Sequence, residues 1–283
     1  MLVIGATGNV GREVIKTALN QGLKPVAAVR NITKAKKDFG EDLSMVKFDF
    51  YDRNTWFKAL EAQKFLFLLR PPAISEVEET LNPFIDVAKQ AGIEHIIFLS
   101  VAGAEKNKFI PHRKVEDHLI SLDAHYTILR PGFFAQNLQD AYRLDIIESD
   151  RIMVPAGHTP VNWIDVRDVA EVATLILRNP FAHAGKAYTL AGPGPVLWEE
   201  VVESLSDVLG RDIQYQAVSI PRYIFHLKKR GLSRGAIIVQ TIIHVLLRLG
   251  QGAIEDNTLE RLLGHPSRTI ETYIRENAEI WQI

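Results

Sequence analysis

The sequence predicts an α/β fold: a doubly wound parallel sheet, followed by a smaller, mainly helical C-terminal lobe. Three observations carry this. Short apolar runs alternate with amphipathic stretches through the first half of the 283-residue chain. A glycine-rich turn joins the first apolar run to the first helical stretch. After Pro131 the alternation gives way to helices with only short strands between them. Short apolar strands separated by helices form parallel sheets covered on both faces, because each crossover lays a helix against the sheet.

The strands expected in order are Leu2–Ile4, Pro25–Val29, Met45–Phe48, Lys64–Leu69, His95–Leu99 and Tyr126–Leu129. Helices are expected over Arg12–Gln21, Thr33–Phe39, Arg53–Ala62, Glu76–Ala91 and Pro111–Leu122. Right-handed crossovers then bring every strand's C-terminal end to one edge, where ligands bind in such sheets. Further on, helices are expected at Gln136–Ser149, Val166–Arg178, Leu197–Leu209 and Arg234–Leu249. Short strands are expected near Arg151–Val154, Val161–Trp163, Ala187–Leu190 and Ile213–Gln216, and a hairpin, Thr258–Gly264 and Thr269–Ile280, broken at His265-Pro266. Residues 1–132 read as a dinucleotide-binding core to which later segments return, and 133–283 as mainly a cap over the substrate.

The turn itself is Gly5-Ala6-Thr7-Gly8-Asn9-Val10-Gly11. Glycines at this spacing let the backbone turn sharply and approach a pyrophosphate, while the helix that follows aims its N–H groups and positive dipole end at it. Between a strand and a helix, this is the setting of a Rossmann-type dinucleotide site. The second strand ends in Arg30, where NAD-binding folds place a carboxylate for the ribose. An arginine there pairs with a 2′-phosphate, which favours NADP(H) over NAD(H). Asp49, after the third strand, is placed to accept from an adenine amino group, or equally to cap a turn. Leu69, Arg70 and Pro71 end the fourth strand, beneath the expected nicotinamide ribose.

Composition excludes several classes. With 47% hydrophobic and 24% charged residues the chain can bury a sizeable core. A net charge of −1 argues against an electrostatic grip of the chain as a whole on nucleic acid or an anionic membrane. The basic run His226 to Arg230, with Arg234 near it, reads as a solvated helix end. Cysteine is absent, so there is no disulfide framework, thiolate nucleophile or thiolate zinc site. The histidines lack metal-ligand spacing, and no metal site is expected. The chain opens on a strand without an export signal, and the cytoplasm fits best. The most apolar stretch, Ala236–Leu249, is about 14 residues, short of the roughly 20 that span a bilayer. It reads as a buried helix, a lid over the pocket, or the face of a homodimer.

In order along the chain, Gly5–Gly11, Arg30-Asn31, Phe98-Leu99-Ser100, His112-x-x-Val115-Glu116, Leu129-Arg130-Pro131-Gly132-Phe133-Phe134, Asn137 and Ile164–Ala170 resemble the NmrA-like, atypical short-chain dehydrogenase/reductase family. The likeness covers nearly the whole chain. It implies a cofactor contact for Ser100 and for His112, and substrate contacts for Phe133, Phe134 and Asn137. Ser100 alone reads as a hydrogen-bonding residue or a turn cap, and the two phenylalanines as acceptor walls or plain packing.

Ordinary members of that superfamily use Tyr-x-x-x-Lys as proton donor and activator. No tyrosine here has a lysine four residues on; Lys108 and His112 stand where the pair would fall. His112 and Glu116 share a helix face, where a carboxylate would raise the imidazole's basicity. The family's quinone and triphenylmethane-dye reductases resemble His-x-x-Thr-Glu, and its redox sensors Lys-x-x-Val-Glu. This chain matches the reductases in its histidine and departs from them at Val115. The expected function is NADPH-dependent hydride transfer to a small conjugated acceptor such as a quinone, azo compound or arylmethane dye, with His112 as the catalytic candidate. The alternatives are a non-catalytic NADP-binding redox sensor and, further off, a sugar-nucleotide epimerase.

Overall fold

The computed structural model describes residues 1–122 and 124–282; Ile283, the end of the expected cap, lies outside them. The described residues divide into two compact units. The first holds Met1–Pro131, Val166–Leu190 and Arg261–Gly264, and the second holds the rest.

In the first unit the strands are β1 (Leu2–Val3), β2 (Val26–Val29), β3 (Met45–Lys47), β4 (Phe65–Leu69), β5 (His95–Leu99) and β6 (Tyr126–Pro131). They lie in the order β3-β2-β1-β4-β5-β6, and the strand Lys186–Leu190 pairs beyond β6, giving a seven-stranded sheet. All its pairings are parallel. The order reverses between β1 and β4, which is the topological switch of a Rossmann-type sheet. Burial on both faces explains the unbroken apolar runs: every residue of β5 is buried.

The helices of this unit's first stretch are α1 (Asn9–Asn20), α2 (Ile32–Phe39), α3 (Trp56–Leu60), α4 (Leu81–Gln90) and α5 (Pro111–Ser121). α1 buries Val10, Gly11, Val14, Ile15 and Ala18 at helical spacing and packs against the helix Val166–Arg178. Asn31 caps α2, accepting from the Lys34 N–H, and Pro111 starts α5 from its first position. α4 begins at Leu81, later than the expected Glu76. Pro83 accounts for this: proline fits only in a first turn, where no intrahelical partner is lost.

The second unit has its own core, built around Tyr142, Trp163, Trp198, Tyr223, Tyr273 and Trp281. Trp163 and Trp198 meet edge to face at 5.0 Å, and Trp198 stacks on Tyr215. The expected helix Gln136–Ser149 is two pieces, Asn137–Asp140 and Arg143–Ser149. A helix spans Ile220–Lys229 and ends in the basic run expected to be a solvated helix end; Ser219 and Pro221 are ordinary helix-start residues. The apolar stretch forms a helix over Arg234–Leu246 and ends in a wider turn, Leu247–Gln251, where Gly250 takes φ +82°. No helix among the described residues is long and apolar enough to cross a membrane.

Candidate dinucleotide site and its neighbours

Because the sheet is parallel, the residues after β1, β2, β3, β4 and β5 reach one edge. They are Gly5, Arg30, Asp49, Arg70 and Ser100. Gly5 has φ +68°, and a Cβ there would lie 2.6 Å from Leu69 Cδ1. Gly11 needs to be glycine for a different reason: a Cβ would lie 2.3 Å from the Gly5 carbonyl oxygen. Gly8 donates its N–H to that same oxygen at 2.9 Å and leads into α1 with no side-chain cap. The first turn of α1 carries no acidic side chain. A tight loop whose small residues permit close approach, ending at a helix start without a competing carboxylate, fits a pyrophosphate. Ala6, Thr7, Asn9 and Val10 complete the loop and the first residues of the helix.

Arg30 is exposed at the end of β2 and makes no ion pair among the described residues. Lys36 is taken by Glu41, and Arg12 sits 3.7 Å from Asp38 and over the Phe39 ring. Asp49 Oδ1 accepts from the Tyr51 N–H at 3.0 Å, and its carbonyl accepts from Trp56 Nε1 at 2.9 Å. Asp49 therefore makes the turn contact, while keeping its position at the edge.

Arg70 fastens the loop after β4. Its Nη1 donates to the carbonyls of Pro71 and Pro72, at 3.1 and 3.2 Å, and to that of Ile74. Its Nε donates to His112 Nε2 at 3.3 Å. Burial, with the adjacent guanidinium second, pushes the His112 pKa down to about 3. The imidazole is thus neutral, and with Nε2 accepting, its proton sits on Nδ1.

The expected pairing of His112 with Glu116 does not form, and the shift runs opposite to the one expected. Glu116 is fully buried and turned to other partners. It accepts from Ser100 Oγ at 2.5 Å, from Arg130 Nε at 3.0 Å and from Arg130 Nη2 at 2.7 Å. Ser100 is likewise buried, its hydroxyl committed to this carboxylate. Lys108 is exposed beside the Phe109 ring. Sequence reasoning passed over the Glu116–Arg130 pair. The signal was present: an arginine inside an apolar strand and a glutamate beside Val115 on an apolar helix face each need a buried partner.

Phe133, Phe134 and Asn137 belong to the second unit. Phe133 packs 4.9 Å from Trp163 and 6.1 Å from Trp198, and Phe134 pairs with Ile164 in a short parallel ladder. Asn137 is the first residue of its helix. Asp165, just before the helix Val166–Arg178, accepts from Gln136 Nε2 at 3.1 Å. No cluster of His, Cys, Asp and Glu able to hold a metal ion occurs among the described residues.

The chain is similar to proteins of several kinds. It is 30% identical to Prestalk A differentiation protein A of Dictyostelium discoideum over 98% of this chain and 91% of that one. It is 27% identical to an NAD(P)H azoreductase of Xenophilus azovorans, over 98% of each. Among solved structures, the NADPH complex of the NADPH-dependent quinone oxidoreductase QOR2 of Escherichia coli superposes with a TM-score of 0.86. That pair is 26% identical, over 98% of this chain and 99% of the other. The profile of the NmrA-like family matches residues 1–245, and with the Rossmann-type sheet and its glycine turn in place, the chain belongs to that family.

Proposed function

We propose that this protein is an NADPH-dependent oxidoreductase that delivers hydride to a flat, conjugated acceptor, a quinone, azo compound or arylmethane dye. The observation that carries the reading is the Arg70–His112 hydrogen bond, with Lys108 and His112 standing where the resemblance places an ordinary reductase's tyrosine and lysine. A saturated alkoxide product would need a strong, well-placed acid. A conjugated acceptor spreads the incoming charge, so positioning supplies most of the rate. When bound, NADPH would supply the hydride and its two electrons; a reduced quinone or azo compound takes its balancing proton from water, and an arylmethane cation is neutralised by the hydride itself. Gly5–Gly11 hold the pyrophosphate and Arg30 the 2′-phosphate. The Nδ1–H of His112 donates a hydrogen bond to a ribose hydroxyl or an acceptor oxygen. Phe133, Phe134 and Asn137 are assigned to the acceptor. The names of the azoreductase and the quinone oxidoreductase support this class of reaction.

The test is loss of reduced-nicotinamide absorbance with a panel of quinones and dyes, NADPH beside NADH. Acceptor-dependent loss with NADPH preferred is expected, and His112→Ala lowers turnover far more than it weakens NADPH binding. Demonstrated NADPH binding with no turnover on any acceptor would replace this reading by that of an NADP-binding sensor.

A further inference from the structure

From Ile213 to Ile254 the chain carries no aspartate or glutamate, although its net charge is −1. Within that stretch stand Arg222, Lys228, Lys229, Arg230, Arg234 and Arg248. Only Arg230 is neutralised by carboxylates, those of Asp145 and Glu148. The others are exposed and make no ion pair among the described residues. The same stretch forms two helices, Ile220–Lys229 and Arg234–Leu246, joined by a short loop and tied together where Tyr223 donates to Gln240 Oε1 at 3.1 Å.

These helices also leave large apolar side chains in water. Phe225 is 69% exposed, Ile238 59%, Ile242 52% and Leu249 70%, with Val239 and Ile243 beside them. Ile238 and Ile242 lie one turn apart, opposite the buried Ile237 and His244. At helical spacing Phe225 shares its face with Arg222 and Lys229, while Arg234 and Arg248 stand at the two ends of the second helix's apolar face. Aliphatic and aromatic side chains framed by unpaired cations, with no acid among them, make up the composition of a helix that lies in a bilayer interface. Two copies meeting through this face would bring their cations together with no carboxylate on the helices to offset them.

We propose that the hairpin of residues 220–249 docks on an anionic lipid surface, with its exposed Phe225, Ile238, Ile242 and Leu249 among the acyl chains and Arg222, Lys228, Lys229, Arg234 and Arg248 at the headgroups. Lying on a membrane does not require the length needed to cross one. The inference is independent of the acceptor chemistry.

Co-sedimentation tests it with the whole chain. Vesicles of phosphatidylcholine alone are compared with vesicles holding about 30% phosphatidylserine, the latter giving a surface potential that attracts cations. Binding to the anionic vesicles, falling steeply as salt is raised, is expected. Each cation at the headgroups is worth about fivefold in affinity, so Lys228→Glu with Lys229→Glu lowers binding by more than about twentyfold. Ile242→Ser with Leu249→Ser lowers it as well. Circular dichroism checks that each variant is folded, and the salt series on the unaltered chain needs no variant. Equal binding to neutral and anionic vesicles, or none to either, would overturn the proposal. So would a solution dimer that the apolar substitutions dissociate without any effect on vesicle binding.

Discussion

Arg70 Nε donates to His112 Nε2 across 3.3 Å, and this bond joins the end of β4 to the start of α5. A charge state is fixed there as well, by burial first and by the guanidinium second. His112 is pushed down to about 3, whereas the unfolded chain titrates this group near 6.5. Between those pH values the unfolded state holds the extra proton. Stability therefore rises with pH across that window, and it is lost as pH falls from about 6.5 toward 3. His95 and His244, both pushed down to about 4 mainly by burial, act in the same direction. The urea midpoint should fall between pH 7.5 and 5, and His112→Gln, which keeps an acceptor for Arg70, should reduce that fall by on the order of 1 kcal/mol. A histidine NMR signal for residue 112 that titrates near 6.5 would contradict the neutral assignment.

The glycines of the turn separate stability from binding. A Cβ on Gly11 meets backbone, the Gly5 carbonyl oxygen, at 2.3 Å, so neither side can yield cheaply. A Cβ on Gly8 has its nearest neighbour at 3.4 Å, an ordinary contact. Gly11→Ala should cost about 2–4 kcal/mol in thermal or urea unfolding and abolish NADPH binding along with it. Gly8→Ala should leave unfolding within about 1 kcal/mol while weakening NADPH at least about tenfold in calorimetry. Equal losses of stability in the two variants would mean that Gly8 is structural only.

Much of this was legible in the sequence, for reasons that differ along the chain. Parallel strands such as β4, and β5 after His95, are unbroken apolar runs, and Gly5, Asn31 and Pro111 mark turns and helix starts by local chemistry. Local chemistry also marks Ile220–Lys229, whose basic last turn is a solvated helix end and whose start carries Ser219 and Pro221. The destination of a buried side chain is a tertiary fact. His112 and Glu116 share a helix face at i and i+4, but Arg130 on β6 takes the carboxylate and Arg70 after β4 meets the imidazole. Sequence spacing identified the neighbours on the helix; it carried no information about which strand would face them.

Arg30 is the residue proposed to decide between the two nicotinamide cofactors. It is exposed, follows β2, and has no carboxylate paired to it among the described residues. Charge-assisted hydrogen bonds to a phosphate are worth about 1.5–3 kcal/mol. Arg30→Ala should therefore weaken NADPH by about 10- to 100-fold and leave NADH within about threefold, read by direct titration of each. A proportional loss for both cofactors would place the 2′-phosphate elsewhere.

The buried carboxylate below the edge gives an expected effect on stability as large as that of Gly11. Glu116 has no solvent exposure, and both its oxygens are engaged by the Arg130 guanidinium. Neutralising it removes the acceptor of Arg130 Nη2 and leaves a partly buried cation with a weaker carboxylate partner, Glu105 at 3.4 Å. Removing one member of a buried pair costs about 3–5 kcal/mol, so Glu116→Gln, which keeps the shape and one acceptor, should cost about 2–4 kcal/mol. Glu105→Gln, at a more exposed position, should cost less than about 1 kcal/mol. Urea unfolding of the two variants at pH 7.5 measures both. If Glu105→Gln proves as costly as Glu116→Gln, then Arg130 is held chiefly from the surface, and the buried bond to Ser100 is a minor part of what fixes the end of β5.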